Sequence, residues 1–123
     1  MLLAELTREI IAAGMEVHRL LGPGFLEAIY QKALSHELRL RGLSSEHELD
    51  IPIAYKGHSV GRHRLDLVVE KRVIVELKAA DAIIDAHVAQ TLSYMKAAAL
   101  EVSLILNFGR PSLTWKRLAR SLT

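Results

Sequence analysis

Cysteine is absent from the 123 residues. That excludes disulfides, thiolate metal sites and thiol nucleophiles, and it suits a reducing compartment. Long hydrophobic runs are missing too: nothing approaches the roughly 20 apolar residues that cross a bilayer. Met1 to Ile10 carries Glu5, Arg8 and Glu9 at helical spacing and lacks the basic start and cleavage site of a signal peptide. The expected location is therefore the cytoplasm, with no membrane partner. No G-x-x-x-x-G-K-[ST] loop argues for nucleotide hydrolysis, and no H-x-x-x-H or H-x-H pair argues for zinc. No Ser-His-Asp arrangement follows from the spacings. Nor is there a strong excess of one charge: the formal net charge is +2, which does not separate a nucleic-acid binder from other proteins. Repeats, low-complexity tracts and linkers are lacking as well. What remains is a chain 50% hydrophobic and 24% charged, the composition of a globular domain, and a single domain over 1–123 is expected.

The hydrophobic pattern divides this domain. Leu3 to Leu21 repeats apolar residues at helical spacing, and Gly22-Pro23-Gly24 stops it. A second helix is expected from about Phe25 to Arg41, with Gly42 as its C-terminal cap. Leu49, Ile51 and Ile53 then alternate as in a strand. After a turn at Lys56-Gly57-His58, Val60 to Glu70 alternates with Leu65, Leu67 and Val69 on one face and Arg62, Arg64, Asp66 and Val68 on the other. Val73–Lys78 reads as a short strand beyond a Glu70–Arg72 connection. Ala86–Ala99 reads as a helix and Val102–Asn107 as a buried strand. Leu113 to Leu118 suits an edge strand or the start of a last helix. The order ααβββαββ predicts an α/β fold, a mixed sheet flanked by helices, with a parallel crossover from the Val73 strand to the Val102 strand.

The chemistry concentrates in Val73–Lys78. Strand alternation puts Ile74, Glu76 and Lys78 on one face, so an acid and a base share a strand that otherwise reads as buried. Burying either charge unpaired is costly. Across the hairpin, Asp66 falls close to opposite Glu76. Two carboxylates on one face repel unless they share a proton or bind a cation. An oxygen-only ligand set favours Mg²⁺ or Mn²⁺ over zinc, and Lys78 could orient or deprotonate water or stabilise charge on a phosphate. The spacing alone leaves a metal site and a Lys–Asp–Glu salt-bridge cluster equally open.

A resemblance adds to this reading. Asp66 with Glu76-Leu77-Lys78 resembles the PD-(D/E)xK nuclease signature, although Leu65 stands where that signature has proline. Gln90 and Tyr94 look like the Q-x-x-x-Y motif of the RecB-like branch. Gly24, Glu27 and Tyr30 spell G-x-x-E-x-x-Y, the motif of the GxxExxY proteins. Similar flanks include His18-Arg19, Tyr55-Lys56-Gly57, His87 and Asn107-Phe108-Gly109. The resemblance implies a restriction-endonuclease-like fold and Mg²⁺- or Mn²⁺-dependent hydrolysis of DNA. It implies Asp66, Glu76 and Glu27 as metal ligands, Lys78 as the catalytic lysine, and Gln90 and Tyr94 as residues lining the site. His87 shares a helix face with them, as i−3 from Gln90.

Other residues keep two readings. Tyr30 suits a packed core aromatic or a supporting site residue, and His18 suits a core position or a site role. Arg64 could reach phosphates near Asp66 or neutralise it. His47, His58 and His63 read as surface residues. The basic C-terminal stretch with Trp115 suits a solvated face or a nucleic-acid track. The leading function is a metal-dependent nuclease acting on DNA. The alternative is a catalytically silent nuclease-fold module that binds nucleic acid or a protein partner. The small size suggests a homodimer or a partner that supplies specificity.

Overall fold

The computed structural model describes residues 3–121; residues 1–2 and 122–123 of the expected domain lie outside the described residues. Two helices, α1 (Ala4–Leu21) and α2 (Glu27–Leu40), precede a meander of β1 (Ser45–Tyr55), β2 (His58–Val69) and β3 (Val73–Lys78). Helix α3 (Asp85–Ala98) then crosses to β4 (Val102–Asn107), and β5 (Thr114–Ala119) closes the order. The sheet runs β1-β2-β3-β4-β5, with β3 and β4 parallel and every other pair antiparallel. The segment left open between strand and helix at Leu113–Leu118 is thus an edge strand. No helix is long and apolar enough to cross a membrane among the described residues.

Local chemistry explains the boundaries. Helix α1 buries Ile10, Ala13 and Val17 along one stripe and ends where Gly22, at φ 69°, donates its N–H to the His18 carbonyl. Tyr30 locks the following turn: its hydroxyl donates to the Gly22 carbonyl at 2.6 Å and accepts the Phe25 N–H at 3.1 Å. Helix α2 ends as Gly42 enters the left-handed region and Leu43 donates back to the Leu38 carbonyl, the wrap that glycine permits without steric cost. Lys56 and Gly57 both have positive φ, the two-residue turn whose twist suits a hairpin.

The sheet is covered on both sides. Leu67, Val69, Val73, Val75, Leu77, Leu104 and Leu106 pack against α1 and α2. Ile51, Leu65, Val68, Ile74 and Ile105 pack with Tyr94 and Met95 of α3. Leu65 and Leu67 therefore lie in opposite layers, although strict alternation puts them on one face. The cause lies beside them on β1. Glu48 has φ 52° and sits between the register pairs His47↔Leu67 and Leu49↔Leu65. A left-handed residue there turns the hairpin over. This corrects the expectation that Arg62 and Arg64 share a face with Asp66. Arg64 is exposed and pairs with Asp50 at 3.3 Å and Glu48 at 3.8 Å.

Candidate active site

The turnover of the hairpin opens the site. Pairing of β2 with β3 runs only from Val69↔Val73 to Leu67↔Val75. Beyond it, the Asp66 side chain replaces the missing strand partner: Oδ2 accepts the Leu77 N–H at 2.8 Å. A carboxylate is thereby fixed at the notch where β2 leaves β3. Glu76 stands beside it, 5% exposed, and its Oε1 has no hydrogen-bond partner. Burial foremost, and then the adjacent Asp66 carboxylate, push the Glu76 carboxyl up to about 8, against a pull downward from Lys78. Lys78 is half-buried at the end of β3, two residues along the same face.

Helix α3 walls the notch. Tyr94 is buried, and burial first, then Glu76, push its hydroxyl up to about 12; a hydrogen bond from Gln90 works in the opposite direction. Tyr94 therefore meets the acid pair from α3, with Gln90 beside it on the same helix face. His87, three residues before Gln90, caps the first turn of the helix, where its Nδ1 accepts the Ile84 N–H at 3.2 Å.

Two residues hold roles that the sequence does not signal. His63 stacks on Tyr94, with ring centroids 3.5 Å apart and planes 15° from parallel. Burial lowers its pKa, Asp66 opposes that, and Lys78 adds to it. His63 therefore belongs to the notch and not to the surface. Its spacing of three from Asp66 is visible in the chain, but its face is not, because Glu48 decides it. The second is Asn107, fully buried at the end of β4. It clamps the segment after Lys78: Oδ1 accepts the Ala80 N–H at 3.0 Å and the Gly109 N–H at 3.1 Å, and Nδ2 donates to the Ala80 carbonyl at 3.0 Å. The Lys78 carbonyl accepts the Phe108 N–H at 2.8 Å. A Cβ on Gly109 would sit 2.4 Å from Ala80 backbone atoms, so only glycine fits that approach.

Residues 4–118 match a family model described as the PD-(D/E)XK nuclease superfamily. The chain belongs to that superfamily. No curated protein matches the sequence. The crystal structure of SSO0001 is similar at 17% identity with a TM-score of 0.59, covering 78% of this chain and 50% of that one. That likeness is one of fold. The chain spans about half the length of that protein.

The remaining expected site residues are Glu27, Tyr30 and His18. Glu27 is exposed in the first turn of α2. Among the described residues, no three His, Asp or Glu side chains gather closely enough to hold a metal. The expected Asp66–Glu76–Glu27 set is thus not assembled, and the acids brought together are Asp66 and Glu76. Tyr30 and His18 form a packed stack with Phe108, at 4.5 Å and 6.0 Å between centroids. His18 Nε2 is hydrogen-bonded to the Arg110 carbonyl at 2.8 Å. Both residues brace the loop after β4.

The acid pair suits a divalent cation. An unpartnered, buried carboxylate oxygen beside a second carboxylate is a costly arrangement that a cation relieves. Two carboxylates with no further cage would leave such an ion room to keep several waters.

Proposed function

We propose that this nuclease-superfamily domain is a Mg²⁺- or Mn²⁺-dependent nuclease that hydrolyses phosphodiester bonds of DNA. The observation that carries the proposal is the orphaned Oε1 of buried Glu76 beside Asp66, with Lys78 on the same strand face. Asp66 and Glu76 would hold the ion, which supplies Lewis-acid stabilisation of charge on the phosphate when bound. Asp66 arrives already oriented, because the Leu77 N–H holds one of its oxygens. Lys78 directs its ammonium group at the developing phosphate charge and keeps the attacking water in place by hydrogen bonding. Tyr94 and His63 close the α3 side with their stacked rings and limit water around the acid pair. Gln90, exposed beside Tyr94, offers an amide to the nucleic acid.

The test is cleavage of plasmid, linear and branched DNA in Mg²⁺, Mn²⁺ or EDTA, beside Lys78→Ala. Metal-dependent cleavage at least 100-fold weaker in the variant, with an unchanged melting temperature, is expected; general catalysis by a positioned group contributes on the order of 100-fold or more. Equal cleavage by the variant would refute the role of Lys78. Salt-sensitive DNA binding without any cleavage would favour the catalytically silent module instead.

A further inference from the structure

On the opposite side of the hairpin from α3, helix α2 and strand β1 enclose a groove of about 400 Å³. Lys32, His36 and Arg39 line it from the helix, and His47 and Glu48 from the strand. Lys32 and Arg39 are exposed, and neither has an ion-pair partner among the described residues. Arg41, on the same segment, differs: Glu37 and Glu9 neutralise it at 2.8 and 3.0 Å. The one acid in the groove, Glu48, is already engaged by Arg64. The groove thus presents two uncompensated cations and two imidazoles.

Spacing points to a chain of phosphates and not to a single anion. Lys32 and Arg39 are seven residues apart on α2, roughly 10 Å along the helix axis. That is about three steps of a nucleic-acid strand, at roughly 3.4 Å per nucleotide of axial rise. The groove's Glu48 occupies the β1 position between His47↔Leu67 and Leu49↔Leu65, opposite Asp66 on β2.

We infer that the α2–β1 groove is a track for the sugar-phosphate backbone of a DNA duplex, with Lys32 and Arg39 as its phosphate contacts. The inference rests on the nuclease reading above for the identity of the polyanion. Binding of a fluorescent 20-base-pair duplex in EDTA, across 50 to 200 mM salt, tests it with wild-type protein, Lys32→Gln/Arg39→Gln, and Lys116→Gln/Arg120→Gln as a control on the other basic stretch. Each phosphate contact contributes about 0.9 to the slope of log affinity against log salt. The groove variant is therefore expected to lose on the order of tenfold in affinity or more at low salt, with a slope shallower by about 2. The control should bind as wild type does. Arg39→Lys, which keeps the charge, should recover most of the affinity of an Arg39→Gln single variant.

Wild-type affinity in the groove variant, no duplex binding by the wild type, or an equal loss in the control would each overturn the inference. Cleavage kinetics separate its failure from that of the nuclease reading. A raised KM with kcat retained in the groove variant supports the track. Unchanged KM in the groove variant, with metal-dependent cleavage abolished by Lys78→Ala, would leave the nuclease standing and remove the track.

Discussion

At the scale of single residues, Glu76 dominates. Its carboxyl is raised from an ordinary value of 4.5 to about 8 by burial and by Asp66. The folded chain therefore holds a proton that the unfolded chain releases. Below pH 4.5 both states carry it, and Glu76 contributes no difference. Between pH 4.5 and 8 the unfolded state binds fewer protons, so metal-free stability falls as pH rises, by an amount on the order of several kcal/mol. Glu76→Gln, isosteric and neutral, should remove that loss. In EDTA the variant is expected to melt above wild type at pH 8, with the gap closing towards pH 4.5; a constant gap across that range would contradict the shift. His63→Ala tests the neighbouring stack: it is expected to cost about 1 kcal/mol or more of stability, from lost ring contact, and to reduce cleavage. Unchanged values of both would remove His63 from the site.

Glu76 and Lys78 are readable from alternation because they share one face of the short strand β3, and Asp66 because a hairpin about Glu70–Arg72 sets it close to opposite Glu76. His63 is not, since its face depends on a single positive φ at Glu48. Nothing about Glu48's identity signals that conformation, because a left-handed residue is uncommon outside glycine, asparagine and aspartate. Glu27 illustrates the converse. The resemblance brings it to the metal set, and the fold leaves it exposed on another element.

At the scale of elements, the end of β3 is held by the Asn107–Gly109 segment. Asn107→Ala leaves the Ala80 N–H and carbonyl without their partner in a tightly packed turn. A cost of about 1–3 kcal/mol is expected for each group left unsatisfied, together with weaker cleavage because Lys78 begins that segment. Chemical denaturation with a parallel activity assay checks both effects. Gly109→Ala should be at least as damaging, since its Cβ meets backbone and not a movable side chain. A mild effect in both variants would show that the clamp does not position Lys78. Element order and the parallel crossover are legible because helical and strand periods differ and short turns constrain neighbours. The edge strand β5 is ambiguous for a physical reason: Thr114–Ala119 mixes exposed charges with one buried leucine, too little apolar alternation to exclude a helix.

At the scale of the whole molecule, two hydrophobic layers hold a sheet whose hairpin changes sides at the acid pair, and stability is set against function there. A folded state that tolerates a buried, unpartnered carboxyl should gain stability from any ligand that satisfies it, by RT ln(1 + [L]/Kd). Mg²⁺ or Mn²⁺ should raise the melting temperature of wild-type protein and leave Glu76→Gln nearly unmoved. The most direct measurement of the central claim is calorimetric titration with Mn²⁺ and Mg²⁺ at pH 7, in two buffers of different ionisation enthalpy. Glu76 is mostly protonated at that pH, and a cation binds its ionised form. Binding of a divalent ion with release of close to one proton, lost in Glu76→Gln, is the predicted result. Absence of binding, or binding without proton release that survives the substitution, would contradict a metal site at Asp66 and Glu76.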